Sequence, residues 1–316
     1  MTQYVARRIL ASIPVLAIVA IVTFFVIHLV PGNPAAVILG PSATVASINH
    51  LTRALGLDKP LPVQFYLWLK GVLHGNFGYS VFLNQSVLTA VTQHIWPTLW
   101  LSLSAELISI AFSFGLGMVA AWYKDTAVDK FLDIWFMTII AIPDFILALE
   151  LVYVFGVVIR AFPVSGYVSP STNFLGFLHA IALPALVLGL GQSGIVGRVV
   201  RDAIVGASHN EYVRVATAKG LSRRTVFIRH TLRSSLLVPL TMIGSSFATL
   251  LSGVVILESV FDIPGLGWLA INSILNKDYP TVQAVVLLIA TTYVVVNLLV
   301  DVSYFVVDPR TRTIYQ

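Results

Sequence analysis

The 316-residue chain is 57% hydrophobic and 10% charged, against roughly 45–50% apolar and about 25% charged in an average soluble domain, and its mean hydropathy is +0.89. A soluble core of this length needs no such excess of apolar side chains, so the excess must face lipid, and soluble enzymes, disordered chains and collagen-like chains are excluded. Cysteine is absent, which removes disulfides, thiolate metal sites and cysteine nucleophiles, while the net charge of +5 gains meaning only from where the charges stand.

In chain order, six stretches reach or approach the roughly 20 apolar residues of a spanning helix. They run from Ile9 to Val30, Thr98 to Trp122, Phe131 to Ile159, Leu175 to Val200, Leu236 to Leu257 and Val282 to Val307. The first follows Arg7-Arg8 as a secretory signal would, but it is longer than the roughly 7–15 apolar residues of a cleaved segment and is read as retained. Residues 1–30 are thus an N-terminus and first span. Residues 31–97, with turn signals at Pro31-Gly32-Asn33-Pro34, Gly40-Pro41 and Gly75-Asn76, form an extracytoplasmic lobe. Within it the apolar run Val63, Phe65 to Leu69 suits a membrane interface. Residues 98–307 hold the other five spans and a loop at 206–235, and residues 308–316 form the C-terminus. With the N-terminus inside, only Arg53, Lys59, Lys70, Arg160 and Lys277 of the 19 basic residues lie outside. The positive-inside rule therefore puts both termini in the cytoplasm.

The loop carries helix punctuation. Ser208 and Glu211 have the spacing of a capping box, and Gly220 supplies a left-handed stop. Between them Tyr212, Val215, Ala216 and the Lys219 stem fall on one face of a helix about three turns long, too short to stand without a partner surface. Arg223, Arg224, Arg229 and Arg233 around Val226, Phe227, Ile228 and Leu232 make a basic amphipathic entry to the fifth span. An ordinary basic loop lying on anionic headgroups is the competing reading.

Glu211, Ala216, Gly220-Leu221, Ile228 and then Pro239 resemble the EAA loop of ABC-importer permeases. The resemblance extends over the whole chain to the dipeptide/oligopeptide/nickel permease family, the first of its two permease subunits. It is carried by Leu29 to Pro34, Leu55 to Ser80, Ile142-Pro143, Phe162 to Pro170, Glu258 to Gln283, Asn297 to Asp301 and Asp308 to Arg312. It implies an all-α polytopic membrane protein with six transmembrane helices in the type I ABC importer permease fold. It also implies a bacterial inner-membrane location, a homologous second permease, two ATP-binding subunits that hold ATP and Mg, and an extracytoplasmic solute-binding protein. No cofactor is expected in this chain. The cargo implied is a di- or oligopeptide, with glutathione-like peptides or nickel chelates as alternatives, and the residues from Ser208 to Leu221 would be the helix that couples to the ATPase.

One departure concerns charge. Where the family's spans are expected to be neutral, this chain has Glu106, Asp144 and Glu150. An ionisable group at mid-helix costs about 2.5–3.5 kcal/mol or more, so these are candidate pathway residues that would favour a cationic group of the cargo. Hydrogen bonding between helices or subunits is the alternative, and it applies to Asp301 as well. Asp144 and Glu150 lie roughly 120° apart around a helix, which disfavours a paired-acid catalytic site. Such acids would also serve a stand-alone ion-coupled transporter, the rival from another class.

Gly191-Gln192-Ser193-Gly194 matches the GxSG of intramembrane serine proteases, but the only intramembrane histidines are His28 and His179. Gly189, Ser193 and Gly197 are instead read as a small-residue packing face, with Gly194 adding to it. The seven histidines show no metal-ligand spacing, and no Gly-Lys dipeptide exists to build a phosphate-binding loop, so energy must come from another chain. Pro143, Pro184 and Pro239 are expected to kink their spans.

Overall fold

The computed structural model describes residues 2–28, 34–39, 43–54, 56–80 and 82–307. The turn signals at Pro31-Gly32-Asn33 and Gly40-Pro41, the terminal Asp308 to Arg312 and the Asp301 side chain lie outside that description. Helices follow one another as α1 (Thr2–His28), α2 (Pro34–Leu39), α3 (Val45–Ala54) and α4 (Leu61–Leu73). A two-residue hairpin follows, β1 (Tyr79–Ser80) with β2 (Gln85–Ser86). Then come α5 (Val87–Trp122), α6 (Ala127–Ala141), α7 (Asp144–Leu151) with a π-helical continuation Val152–Val158, α8 (Phe174–Ser208) and α9 (Glu211–Ala218). The chain ends with α10 (Arg223–Thr225), a π-turn Val226–Leu232, α11 (Arg233–Ser235), α12 (Leu237–Val260), α13 (Leu266–Leu275) and α14 (Tyr279–Val307). Among the described residues four helices are long and apolar enough to cross a membrane, and up to six crossings result if each of two bent pairs is one span.

The residues divide into two compact units. In the unit formed by residues 2–97 and 264–295, Phe65 and Trp68 of α4 lie 5.3 and 5.7 Å from Phe24 of α1, so the aromatic run of the lobe leans on the first span. Its core joins Val87, Ala90 and Val91 to Leu266, Leu269, Ala270, Ala284 and Val285. The hairpin is tied down by Ser80, whose Oγ donates to Asp278 Oδ2 at 2.5 Å, and Thr281 donates to the same oxygen at 2.7 Å.

In the unit formed by residues 98–263 and 296 onward, α8 is the hub. Its small residues are shared between neighbours. A Cβ at Gly189 would lie 2.8 Å from the Ala105 carbonyl of α5, and Cβ atoms at Gly194 and Gly197 would lie 3.0 Å or closer to the Phe136 carbonyl and ring of α6. The expected packing face at Gly189, Ser193 and Gly197 is therefore divided between two partners. Ser193 is fully buried and its hydroxyl donates to the Leu190 carbonyl of its own helix at 2.7 Å, which commits the proton a nucleophile would have to give up. His179 Nε2 is 2.7 Å from the Ala161 carbonyl.

Several expected boundaries are corrected. The third span is not one helix: α6 and the helix beginning at Asp144 meet at 102°. Ile142 (φ −84°, ψ 120°) and Pro143 (φ −60°, ψ 138°) are extended, because proline lacks the amide and pushes the residue before it out of the helical region. The second span starts at Val87 instead of Thr98, and α5 runs through Pro97 for 36 residues, about 54 Å at 1.5 Å per residue. Helix α8 likewise runs through Pro184 and continues to Ser208. Pro239 stands in the first turn of α12, where a missing amide costs little, just after the break at which the stretch Arg223–Ser235 and α12 are bent by 50°.

Candidate functional site

The basic loop starts differently from the expected capping box. Ser208 is the last residue of α8 and its Oγ donates to the Val205 carbonyl at 2.6 Å. The cap of α9 is the backbone of Asn210, without a side-chain cap bond, and Glu211 is the first helical residue. Its carboxylate still sits where the helix dipole favours an anion. The stop is as expected. Gly220 has φ +79°, its amide donates to Thr217, and the Leu221 amide reaches back to Ala216, the paired bonds of a Schellman ending.

The partition of α9 was only half legible. Val213 and Ala216 are the buried residues, packed on Val226. Tyr212, Val215 and Leu221 are 45%, 52% and 41% exposed, and Ile228 is 50% exposed. Lys219 is exposed as well. Of the predicted face, Ala216 faces the chain's own core, and Tyr212 and Val215 form an apolar stripe facing outward. Tyr212 is oriented by its hydroxyl, which donates to Ser234 Oγ at 2.5 Å.

The second half of the loop anchors this helix. Arg223 Nη2 donates to the Trp122 carbonyl at the end of α5 at 2.7 Å and its guanidinium lies 4.8 Å from the Trp122 ring, a cation placed on a helix C-terminus. Phe227 meets the same indole edge to face at 4.9 Å and packs toward Val196, Val200 and Ile204 of α8. Beside it Arg201 grips Asp129 through Nε and Nη2 at 2.6 and 2.8 Å, with Asp129 almost fully buried, and also holds Asp202 at 2.7 Å. Arg198 and Asp133 make a looser, exposed pair at 3.6 Å. These pairs clamp α6 to α8, and the sequence offered no signal for them beyond opposite charges near span ends.

The three intramembrane acids separate. Glu106 is buried, and its Oε1 accepts from Ser246 of α12 at 2.8 Å, while Oε2 meets no partner among the described residues. It belongs to a buried polar row on α5, Thr98, Ser102, Glu106, Ser109 and Ser113. At the other end of that row Thr98 Oγ1 donates to Glu258 Oε1 at 2.5 Å. Glu258, fully buried, is the acid sequence reasoning missed, because the fifth apolar stretch was closed one residue before it. Glu150 is exposed, and Asp144 is half-buried. On α7 the inward face carries Ala148, with Leu147 and Leu151 packed on the main core, so Asp144 and Glu150 do not share a face. Glu106→Ala removes one of the two acceptors 2.8 Å from the Ser246 hydroxyl, the Ile243 carbonyl being the other, and leaves a cavity in the buried row, and is expected to cost about 1–3 kcal/mol. Glu106→Gln keeps the acceptor and is expected to stay within about 1 kcal/mol. Thermal unfolding of the detergent-purified protein separates the two.

Residues 113–313 match the binding-protein-dependent transport system inner membrane component family, and residues 1–102 match the N-terminal family of such membrane components. The chain belongs to this family. The permease is 39% identical over 313 residues to a Probable peptide ABC transporter permease protein of Sinorhizobium fredii, covering 99% of this chain and 100% of the relative. It is 36% identical over 312 residues to the glutathione transport system permease protein GsiC of Salmonella typhimurium, covering 99% of each. The structure of the MetNI methionine ABC transporter in an inward-facing conformation superposes with a TM-score of 0.58 at 13% identity, over 69% of the permease and 96% of that chain, which shows a shared fold. The permease is thus a multi-pass ABC importer component, as the family resemblance implied.

Proposed function

We propose that this permease carries peptides across a bacterial inner membrane as one half of a translocation pathway. A second homologous permease would supply the other half. Two ATPase subunits, which hold ATP and Mg, would drive it, and an extracytoplasmic solute-binding protein would deliver the cargo. Both termini and α9 lie on the cytoplasmic side in this reading, on the distribution of basic residues. The observation that carries the coupling role is the two-sided α9: Val213 and Ala216 fasten it to its own chain, and Tyr212, Val215 and Leu221 are left outward. An amphipathic helix with an apolar stripe outward fits a groove on a partner. ATP binding would then shift the permease between inward- and outward-open states only to the extent that the closed ATPase dimer binds one of them more tightly.

Peptide cargo rests on the names carried by full-length relatives. Glutathione, itself a peptide, is the second reading, favoured by the Salmonella relative. The test combines Gly220→Pro, which forbids the left-handed stop, with Glu211→Arg, which puts a cation at the wrong end of α9. Both variants are expected to insert and to be recovered normally, but to lose ATPase association or to hydrolyse ATP with peptide uptake reduced at least about tenfold. Wild-type coupling in both would overturn the assignment.

A further inference from the structure

We propose that Asp144, seated in a socket between Gly191 and Gly253 at the break of the third span, is where the permease recognises a single cationic group of its cargo, an ammonium or guanidinium. This deepens the peptide-importer reading and rests on it.

The socket is defined by what two helices lack. A Cβ built on Gly191 of α8 would lie 2.6 Å from Asp144 Oδ1, and one built on Gly253 of α12 would lie 3.8 Å from Oδ2. The carboxylate therefore occupies space that a side chain on α8 would claim, with glycine on α12 alongside. It makes no cap bond on its own helix, whose cap is Pro143, so only its charge, in the first turn of α7, acts on that helix and both oxygens stay open to a donor. Nor does any hydrogen bond or ion pair reach Asp144 among the described residues, in contrast to Asp129 with Arg201 and Asp133 with Arg198.

Asp144 is only half-buried, near the centre of the third apolar stretch. An unpaired carboxylate is costly against hydrocarbon, and water or a cationic ligand on its open side relieves that cost. Broken helices in transporters place irregular backbone where it lines a cavity rather than lipid. The ligand's chemistry follows from the donor set. A single carboxylate, with no cluster of three acidic or histidine side chains among the described residues, suits one organic cation through charge-assisted bonds better than a divalent metal. Every unmodified peptide offers such a group at its N-terminus. The other acids do not compete: Glu106 is closed in against Ser246, and Glu150 lies on the outward face of α7.

The experiment uses the full transporter reconstituted with its partner subunits and one peptide in two forms, with a free and an N-acetylated terminus, uptake being normalised to occupancy of the solute-binding protein. Asp144→Asn is expected to shrink the free-to-acetylated uptake ratio about tenfold. Gly191→Ala keeps the acid but fills its position, and is expected to reproduce the shift in an otherwise normal complex. Added to Asp144→Asn it should contribute nothing more, and Glu150→Gln should leave the ratio unchanged. If Asp144→Asn is not recovered, Gly191→Ala alone carries the comparison. An unaltered ratio in the recovered variants, with normal wild-type uptake, overturns the Asp144 assignment alone. Wild-type uptake of neither form overturns the peptide reading and this cargo group together.

Discussion

Arg201→Ala is expected to destabilise the permease by up to about 3–5 kcal/mol, because it takes from a buried carboxylate both guanidinium bonds and leaves only the weaker field of Lys124. Asp129 is 3% exposed and receives two bonds from the guanidinium, at 2.6 and 2.8 Å, besides one from the Asp125 amide. The arginine beside it reports the opposite extreme. Arg198 and Asp133 stand 3.6 Å apart with 45% and 36% of their side chains exposed. An exposed pair of that kind contributes about 0–1 kcal/mol, so Arg198→Ala should be nearly silent. Arg201→Lys should recover only part of the loss, since a single ammonium cannot reproduce the fork that spans both Asp129 oxygens. Thermal unfolding of the three variants in the same detergent orders them. Equal effects of Arg201→Ala and Arg198→Ala would show that α6 is not held to α8 through Asp129. Asp129 also feels the charge of Lys124, whose Nζ stands 3.4 Å from His209 Nε2 just past the end of α8.

The second large effect is steric. Gly189→Leu is expected to prevent recovery of folded protein. A Cβ there would meet the Ala105 carbonyl at 2.8 Å and Ile108 at 2.6 and 2.7 Å, and a backbone carbonyl cannot rotate away as a side-chain tip can. Overpacking typically costs about 1–3 kcal/mol where side chains can adjust. Forcing α5 off α8 should exceed that, and Gly189→Ala should fall within it. Gly206, near the end of the same helix, has nothing within 4 Å of a Cβ position. Gly206→Ala should therefore be neutral or gain up to about 1 kcal/mol from helix propensity. Similar yields and melting temperatures for the Gly189 and Gly206 variants would refute the close α5–α8 approach. In a membrane, where apolar burial gives helices no net reason to associate, such approaches carry much of the packing energy.

These residues also mark where local information stops. Membrane class and the approximate number of spans were legible because transfer of an apolar stretch into lipid depends on its composition and length alone. The importer family was legible because Glu211, Ala216, Gly220 and Pro239 hold their spacing along the chain. The stop of α9 at Gly220 was legible too, since a left-handed residue is a property of one position. Its start was not. Ser208 and Glu211 have the spacing of a capping box, but α8 continues through Ser208, and the helix already present takes the residue that would have capped the next.

Tertiary structure decided the remainder. Proline at 143 predicted a kink, whereas the 102° break depends on α7 finding its own seat against α8 and α12. Sequence placed Glu106, Asp144 and Glu150 in apolar stretches and could rank none of them. Packing separates them into a carboxyl bonded to Ser246, a carboxylate in a glycine socket and an exposed side chain. The physical reason is range. Helix formation, stops and insertion are governed by neighbours within a turn or two. The partner of a buried charge or the gap beside a glycine lies on another helix, tens of residues away along the chain, and exists only once the helices have packed.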